Sequence, residues 1–133
     1  MNIALWLHRH ARTDPLRTAV FAGASPWKSF GTLARDAASL ARGLREKLGL
    51  APGDRVALVM ANAPEYAEIL LAAWWAGLAC VPVNAKLHPR EVAFILEDSG
   101  ASAVFATPDW IAGLAEATAG LARAPDVIEA GSV

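Results

Sequence analysis

Short continuous apolar runs alternate along the chain with longer stretches whose apolar residues recur at helical spacing. The runs at residues 55–60, Ala79–Val83 and Ala103–Ala106 predict strands buried on both faces, and a further strand begins near Asp126–Glu129. Helical stretches separate these strands, so the order from residue 55 onward is β-α-β-α-β-α-β. With right-handed crossovers, this order predicts a Rossmann-like or flavodoxin-like parallel sheet with helices on both faces.

The first fifty residues show a different pattern. A helix is predicted at about residues 3–11. Two short strands at residues 19–22 and 27–30 are expected to form an antiparallel hairpin around the turn from Gly23 to Pro26. Apolar residues at helical spacing then predict an amphipathic helix that ends near Gly49. These residues are Leu33, Ala37, Leu40, Ala41, Leu44 and Leu48.

Helix-start signals follow the predicted strands. Asn62 and Glu65 stand three residues apart, as in a capping box. The helix they open is apolar nearly all round, so we expect other elements to cover it on several sides. Pro89 at a first helical position and Gly100 beyond the end bound the next helix.

Composition narrows the class of protein. The chain has 133 residues, of which 55% are hydrophobic and 19% charged, so it can form one domain with a core and does not belong to the disordered class. A formal net charge of −1 indicates neither a nucleic acid nor an anionic membrane surface as partner. The single Cys80 predicts no internal disulfide and a reducing, cytoplasmic location. The apolar run at residues 69–83 contains a glycine and a proline, so we interpret it as buried protein and not as a membrane span.

The search for catalytic and metal-binding residues gives none. The turn at residues 60–64 has no glycine and no Walker-type lysine follows it, which argues against a self-contained nucleotide site. His8 and His10 are two residues apart and face different directions on a helix, so they predict no metal pair. Cys80 is predicted to be a buried, inert thiol. Trp74-Trp75 favours core or interface packing, with a pocket wall as the alternative.

One loop offers a possible ligand contact. Lys86, His88 and Arg90 follow the carboxyl end of a predicted central strand, which is the edge where open α/β sheets bind ligands. The three basic side chains would suit an anion. The alternative is a solvated loop that leads into a capped helix.

Residues 49–106 resemble the start of the adenylate-forming superfamily, which includes acyl-CoA synthetases, luciferases and the adenylation domains of peptide synthetases. The motifs that carry the resemblance are GDRVAL at residues 53–58, Asn-x-x-Glu at 62–65, Ala-Gly-x-Ala-x-Val-Pro at 76–82, Val-Asn-x-x-Leu at 83–87 and Pro-x-Glu at 89–91. Upstream, Ser-Phe-Gly-Thr-Leu at residues 29–33 takes the place of the family's Thr-Tyr-x-Glu-Leu. Thr32 and His88 depart from the family pattern, and we expect both to weaken helix caps.

The resemblance implies a two-step ligase. A carboxylate attacks the α-phosphate of ATP to give an acyl-adenylate and pyrophosphate, a thiol then displaces AMP, and Mg²⁺ offsets phosphate charge. The family's phosphate loop, Thr-Glu metal motif, ribose-binding aspartate and C-terminal lysine have no counterpart in this sequence. Residues 1–133 are therefore expected to be the N-terminal part of the large domain of a longer ligase, inactive alone and without bound cofactor.

Peptide-synthetase adenylation domains usually have aspartate at the position of Asn84, so Asn84 favours a CoA ligase. A fatty acid is the expected substrate of that ligase. Because Lys86 follows a predicted strand at the ligand-binding edge, we expect it to contact a phosphate of the CoA that the resemblance implies. Self-association is expected through the apolar helix at residues 69–75. Two other interpretations stay open: a complete small α/β enzyme, and a stand-alone interaction module that docks through Trp74-Trp75.

Overall fold

A computed structural model describes residues 1–132, and over that range the chain forms a hairpin, a four-stranded parallel sheet and five α-helices. Val133, the last residue of the predicted domain, lies outside the described residues. The elements are α1 Ala4–Thr13, β1 Thr18–Ala22, β2 Ser25–Ser29, α2 Phe30–Glu46, β3 Arg55–Val59, α3 Glu65–Trp75, β4 Ala79–Val83, α4 Pro89–Ser99, β5 Ala103–Ala106, α5 Ile111–Thr118 and β6 Asp126–Glu129. A short 3-10 helix, Pro108–Trp110, precedes α5. The predicted element order is confirmed.

The parallel sheet has the strand order β4-β3-β5-β6. β3 is central, and its Val56 and Leu58 belong to one apolar cluster while Ala57 and Val59 belong to another. The first cluster includes side chains of α1, α2 and α3, and the second includes side chains of α4 and α5. Helices therefore cover both faces of the sheet at β3 and β5, as the apolar runs predicted. The same prediction is wrong for β4, which is the outermost strand and leaves Ala79 and Pro82 exposed.

Helix α3 packs beneath α1 and α2. Its Ile69, Ala72 and Ala73 are fully buried, and none of its described large hydrophobic side chains is among the exposed ones. The prediction that other elements cover this helix is confirmed. The expected self-association through residues 69–75 loses its basis, because α1 and α2 already occupy the surface it would need.

The predicted capping box of α3 is wrong. The helix begins at Glu65 after Pro64, and neither Asn62 nor Pro64 makes a side-chain capping bond in the described part of the chain. Pro64 has φ −63°, which suits a helix start. Its ring nitrogen has no N–H that would need an acceptor, so the start tolerates the missing cap.

Two other helix starts are better capped than the sequence suggested. At α4, His88 Nδ1 accepts from the Arg90 amide at 3.2 Å, and Glu91 Oε2 accepts from the His88 amide at 2.8 Å, a complete capping box. At α2, Ser29 Oγ accepts from the Thr32 amide at 3.2 Å. His88 therefore does cap α4, through an imidazole nitrogen, and the serine hydroxyl of Ser29 caps α2. How much Thr32, in the place of an acidic residue, weakens the start of α2 stays a prediction.

No helix formed by residues 1–132 combines the length and the apolar character that a membrane crossing requires.

Candidate functional site

The carboxyl ends of β3, β4 and β5 lie along one edge of the parallel sheet. They lead into the turns at residues 60–64, 84–88 and 107–110. From β3 the chain crosses through α3 to β4 on one side, and from β5 it crosses through α5 to β6 on the other side. The crossover direction reverses between β3 and β5, and in open α/β sheets such a reversal marks the ligand crevice.

Thr107 joins two of these turns. It is a buried polar residue with 7% exposure, and its Oγ1 accepts from the Ala61 amide at 3.0 Å. This bond links the ends of β3 and β5 at the point of reversal. No spacing signal in the sequence identifies Thr107 as part of this edge, because its partner lies 46 residues away in the chain.

The loop that carries Lys86 has a fixed backbone. Asn84 Oδ1 accepts from the Lys86 amide at 2.9 Å, and Trp110 Nε1 donates to the Ala85 carbonyl at 2.9 Å. Trp110 itself is 7% exposed, so the carbonyl is bonded to a buried side chain. The structure thus anchors this loop to the 3-10 helix that precedes α5, through a residue that the sequence analysis did not single out.

The basic side chains of this loop remain in solvent. Lys86, His88 and Arg90 are exposed, and no ion pair among residues 1–132 involves them. His88 uses its Nδ1 in the cap of α4. The structure places Lys86 and His88 on this loop and Arg90 in the first turn of α4, at the carboxyl edge of the sheet as predicted. The prediction that they follow a central strand is wrong, because β4 is the outermost strand of the four. No hydrogen bond joins the three side chains to one another within residues 1–132. Lys86 is therefore free to meet an anion as a mobile point charge.

Trp110 is also in close contact with α5. A Cβ atom added at Gly113 would lie 3.0 Å from Trp110 Cε3 and 3.1 Å from Cζ3. Glycine at this position lets the helix backbone approach the indole face. The indole in turn holds the Lys86 loop, so the packing of α5 determines where that loop sits.

The residues weighed for metal binding and nucleophilic chemistry lie apart from this edge. His8 contacts the Trp75 ring edge-on, with centroids 6.1 Å apart, whereas His10 stacks on Phe30 at 5.0 Å. The two imidazoles therefore face different helices, as their spacing predicted. Cys80 is half-buried, where a buried thiol was predicted. Burial still raises the pKa of the thiol from 9.0 to about 11, which favours the unreactive protonated form.

A second candidate region is a groove of about 540 Å³ between α2 and the sheet. Its apolar floor includes Leu40, Phe105 and Ile128, and charged side chains such as Lys28 and Glu68 stand at its side. None of its described lining residues belongs to the three turns at the sheet edge. The groove is thus separate from the candidate ligand crevice.

Lys28 links the hairpin to two helices beside this groove. Its Nζ lies 2.9 Å from Asp36 Oδ2, contacts Glu68 Oε2 and stands 4.4 Å from the Trp27 ring centroid. Burial alone would lower the pKa of Lys28, but the two carboxylates outweigh it and raise that pKa. Burial likewise opposes ionisation of Asp36, and Lys28 reverses the effect and lowers the pKa of that carboxyl.

Comparison with known proteins identifies several relatives. A family model described as "AMP-binding enzyme" matches residues 7–131. Feruloyl-CoA synthases from Amycolatopsis sp and Streptomyces sp are each 42% identical over 125 residues, which is 93% of this chain and 25% of theirs. The long-chain-fatty-acid–CoA ligase FadD13 of Mycobacterium tuberculosis is 47% identical over 57 residues, 43% of this chain and 11% of that protein.

Solved structures show the same similarity. The N-terminal domain of FACL13 from Mycobacterium tuberculosis superposes with a TM-score of 0.87 at 31% identity, covering 99% of this chain and 34% of that one. A benzoate CoA ligase from Burkholderia xenovorans LB400 gives a TM-score of 0.88 at 28% identity, covering 97% and 26%. The chain spans about a quarter of the length of the feruloyl-CoA synthases.

Proposed function

Because this chain belongs to the AMP-binding enzyme family, we propose that it forms the N-terminal part of the large domain of an AMP-forming acyl-CoA synthetase. The family match over residues 7–131 is the observation that carries the proposal. Its relatives include CoA ligases of which this chain spans a quarter to a third, which supports a role as one portion of a longer enzyme. The lone thiol of Cys80 suits a reducing compartment, so we also propose a cytoplasmic location.

Enzymes of this family use ATP and CoA. In the proposed reaction a substrate carboxylate oxygen attacks the α-phosphorus of ATP, and pyrophosphate leaves. The CoA thiolate then attacks the acyl carbonyl, and AMP leaves. We propose that Mg²⁺ offsets the phosphate charge in the complete enzyme. This chain contributes a rigid sheet edge, held by the Thr107–Ala61 and Trp110–Ala85 hydrogen bonds, against which the reacting groups are placed.

We propose a fatty acid as the substrate, supported by the similarity to long-chain-fatty-acid–CoA ligases. An aromatic acid is the second candidate. The observation that favours it is the match to feruloyl-CoA synthases, which extends over 93% of this chain where that to FadD13 extends over 43%.

The proposal is tested by measuring ATP–pyrophosphate exchange and AMP release with fatty, ferulic and benzoic acids. The 133-residue chain alone should stay at the no-enzyme background with every acid. The protein translated from the whole reading frame should release AMP only when ATP and an acid are both present, and form a thioester when CoA is added. Robust exchange by the chain alone, or ADP as the product of the whole protein, would contradict the proposal.

We further propose that Lys86 contacts a phosphate of CoA in the complete enzyme. The side chain is exposed at the sheet edge, free of ion pairs among residues 1–132, and carried by a loop whose backbone is fixed at Ala85. A fixed backbone keeps the ammonium group near the crevice. The charge itself remains mobile and solvated, so the contact contributes about 1 kcal/mol or less and weakens with salt.

In the complete enzyme, Lys86→Ala should therefore raise the KM for CoA by up to about fivefold at low salt and leave the adenylation half-reaction unchanged. Arg45→Ala, an exposed cation on α2, is the matched control and should change neither quantity. If the CoA dependence of Lys86→Ala matches that of the control at low salt, Lys86 is only a solvated loop residue.

A further inference from the structure

Helix α1 presents large apolar side chains on the side that faces away from the protein. Leu5 and Trp6 are 49% and 58% exposed, whereas Ala4 and Leu7 on the inner side are 3% and 4% exposed. Leu16, just beyond the helix end, is 88% exposed. Ala4 and Leu7 are thus the buried contacts of α1, whereas about half of Leu5 and of Trp6 is left exposed in the described fold.

This helix is firmly attached to the protein. Asn2 Oδ1 accepts from the Ala4 amide at 2.9 Å, and Asn2 Nδ2 donates to the Trp74 carbonyl at 2.7 Å. His8 and His10 contact Trp75 and Phe30 on two different helices. The outer side chains are therefore displayed on a fixed helix, in one orientation relative to the domain.

The charges around α1 differ in sign from those of the rest of the chain. Residues 1–17 contain Arg9, Arg12 and Arg17 against the single acidic Asp14, whereas the remaining residues carry nine basic and twelve acidic side chains. The net charge of −1 hides this asymmetry. Arg9 and Arg12 follow Leu5 by four and seven positions, so they lie on the same outer face of the helix.

We propose that α1 docks on an anionic lipid surface. Leu5 and Trp6 would enter the boundary between headgroups and acyl chains, and Arg9 and Arg12 would contact lipid phosphates from the same helix face. A helix of ten residues that lies in the interface plane needs no membrane span. The overall charge of −1, from which no anionic membrane partner was expected, does not describe this local surface.

Charge favours lipid over a second copy of the chain as the occupant of this face. A symmetric contact between two α1 helices would bring the Arg9 and Arg12 side chains of both copies together, and like charges across an interface oppose association. A bilayer with anionic headgroups supplies both the acyl region for Trp6 and the negative charge for the arginines.

The test is sedimentation of the 133-residue chain with vesicles of phosphatidylcholine, with and without phosphatidylglycerol, over a range of salt concentrations. Binding is expected only to the anionic vesicles and should fall as salt rises. Arg9→Gln with Arg12→Gln should weaken partitioning by about 25-fold, which corresponds to about 1 kcal/mol for each arginine. Trp6→Ser should weaken binding too.

Matched controls come from exposed residues elsewhere in the fold. Arg42→Gln with Arg45→Gln removes two exposed cations from α2, and Phe94→Ser removes an aromatic side chain that is 68% exposed on α4. Both should bind vesicles like the unaltered chain. Circular dichroism confirms that each variant is folded before its binding is compared.

Several results would overturn the proposal. These are equal binding to neutral vesicles, an equal loss in the α2 control, and full binding by folded Trp6→Ser. Light scattering without lipid provides a further check, since association that disappears in Trp6→Ser would show that a second copy covers this face.

Discussion

Replacing Gly113 by alanine tests how rigidly Trp110 is held. The added Cβ atom would lie 3.0 Å from Trp110 Cε3 and 3.1 Å from Cζ3, well inside the about 3.5–4.0 Å at which carbon atoms attract. The ring cannot move aside freely, because it is 7% exposed and its Nε1 is bonded to the Ala85 carbonyl. Either the helix or the indole must shift.

Helix propensity favours the alanine, whereas steric crowding and a weakened hydrogen bond oppose it. Alanine is favoured over glycine in a helix by about 1 kcal/mol, whereas overpacking a tight site costs about 1–3 kcal/mol. Tilting the ring would also weaken the Trp110–Ala85 hydrogen bond, for about 1 kcal/mol more. We therefore expect Gly113→Ala to lower the free energy of unfolding by about 1–3 kcal/mol.

Gly43 in α2 is the matched control. A Cβ atom added there meets nothing within 4 Å, so Gly43→Ala should stabilise the chain by up to about 1 kcal/mol through helix propensity alone. Urea unfolding measures both variants, and their midpoints should move in opposite directions. In a Trp110→Ala background the clash is removed, and Gly113→Ala should become neutral or stabilising. If both glycine variants raise the midpoint equally in the unaltered background, the indole is not held as described.

Three further changes test other contacts. Lys28→Met should lower the free energy of unfolding by about 1 kcal/mol, whereas Arg35→Gln, at an exposed position, should change it by almost nothing. The difference between the two variants should shrink in high salt, and also as the pH falls through the lowered pKa of Asp36, because the protonated carboxyl no longer pairs with Lys28. His88→Ala should cost about 1 kcal/mol of stability through its lost cap, while His88→Asn, which keeps an acceptor, should cost much less in the same urea assay. Because the pKa of the Cys80 thiol is raised to about 11, this thiol should react with iodoacetamide at pH 8 far more slowly in the folded chain than in the urea-unfolded chain, and equal alkylation rates would contradict this. The free energy of unfolding should also decline between pH 9 and 11, since over that range the unfolded chain loses the thiol proton first.

The sheet and its covering helices could be predicted from the sequence because they depend on local periodicity. The continuous apolar run of β3 predicts a strand that is buried on both faces, and the helical spacing of the apolar residues in α2 predicts which of its sides is buried. The wrong predictions concern helix starts, where more than one kind of residue can meet the hydrogen-bonding needs of the first backbone amides. Asn62 looked like a cap, but Pro64 removes the need for one, and His88 looked like a poor cap although its Nδ1 accepts well.

The contacts that organise the candidate crevice could not be predicted. Thr107 reaches an amide 46 residues away, and Trp110 reaches a carbonyl 25 residues away. Each contact exists only once the parallel strands are in register, and the residue types carry no spacing signal for it. The face of α1 was missed for a related reason, since overall charge averages away the difference between residues 1–17 and the remainder.

The central position of β3 has a consequence for how the chain folds while it is being synthesised. β3 pairs on one side with β4 and on the other with β5, and nineteen residues lie between Val83 and Ala103. At about 5–20 residues per second, the ribosome needs about 1–4 s to add that segment. During this interval the apolar strand at residues 56–59 has one unpaired edge that a neighbouring nascent chain could join. Slower translation over residues 84–102 should therefore increase aggregation of the newly made protein.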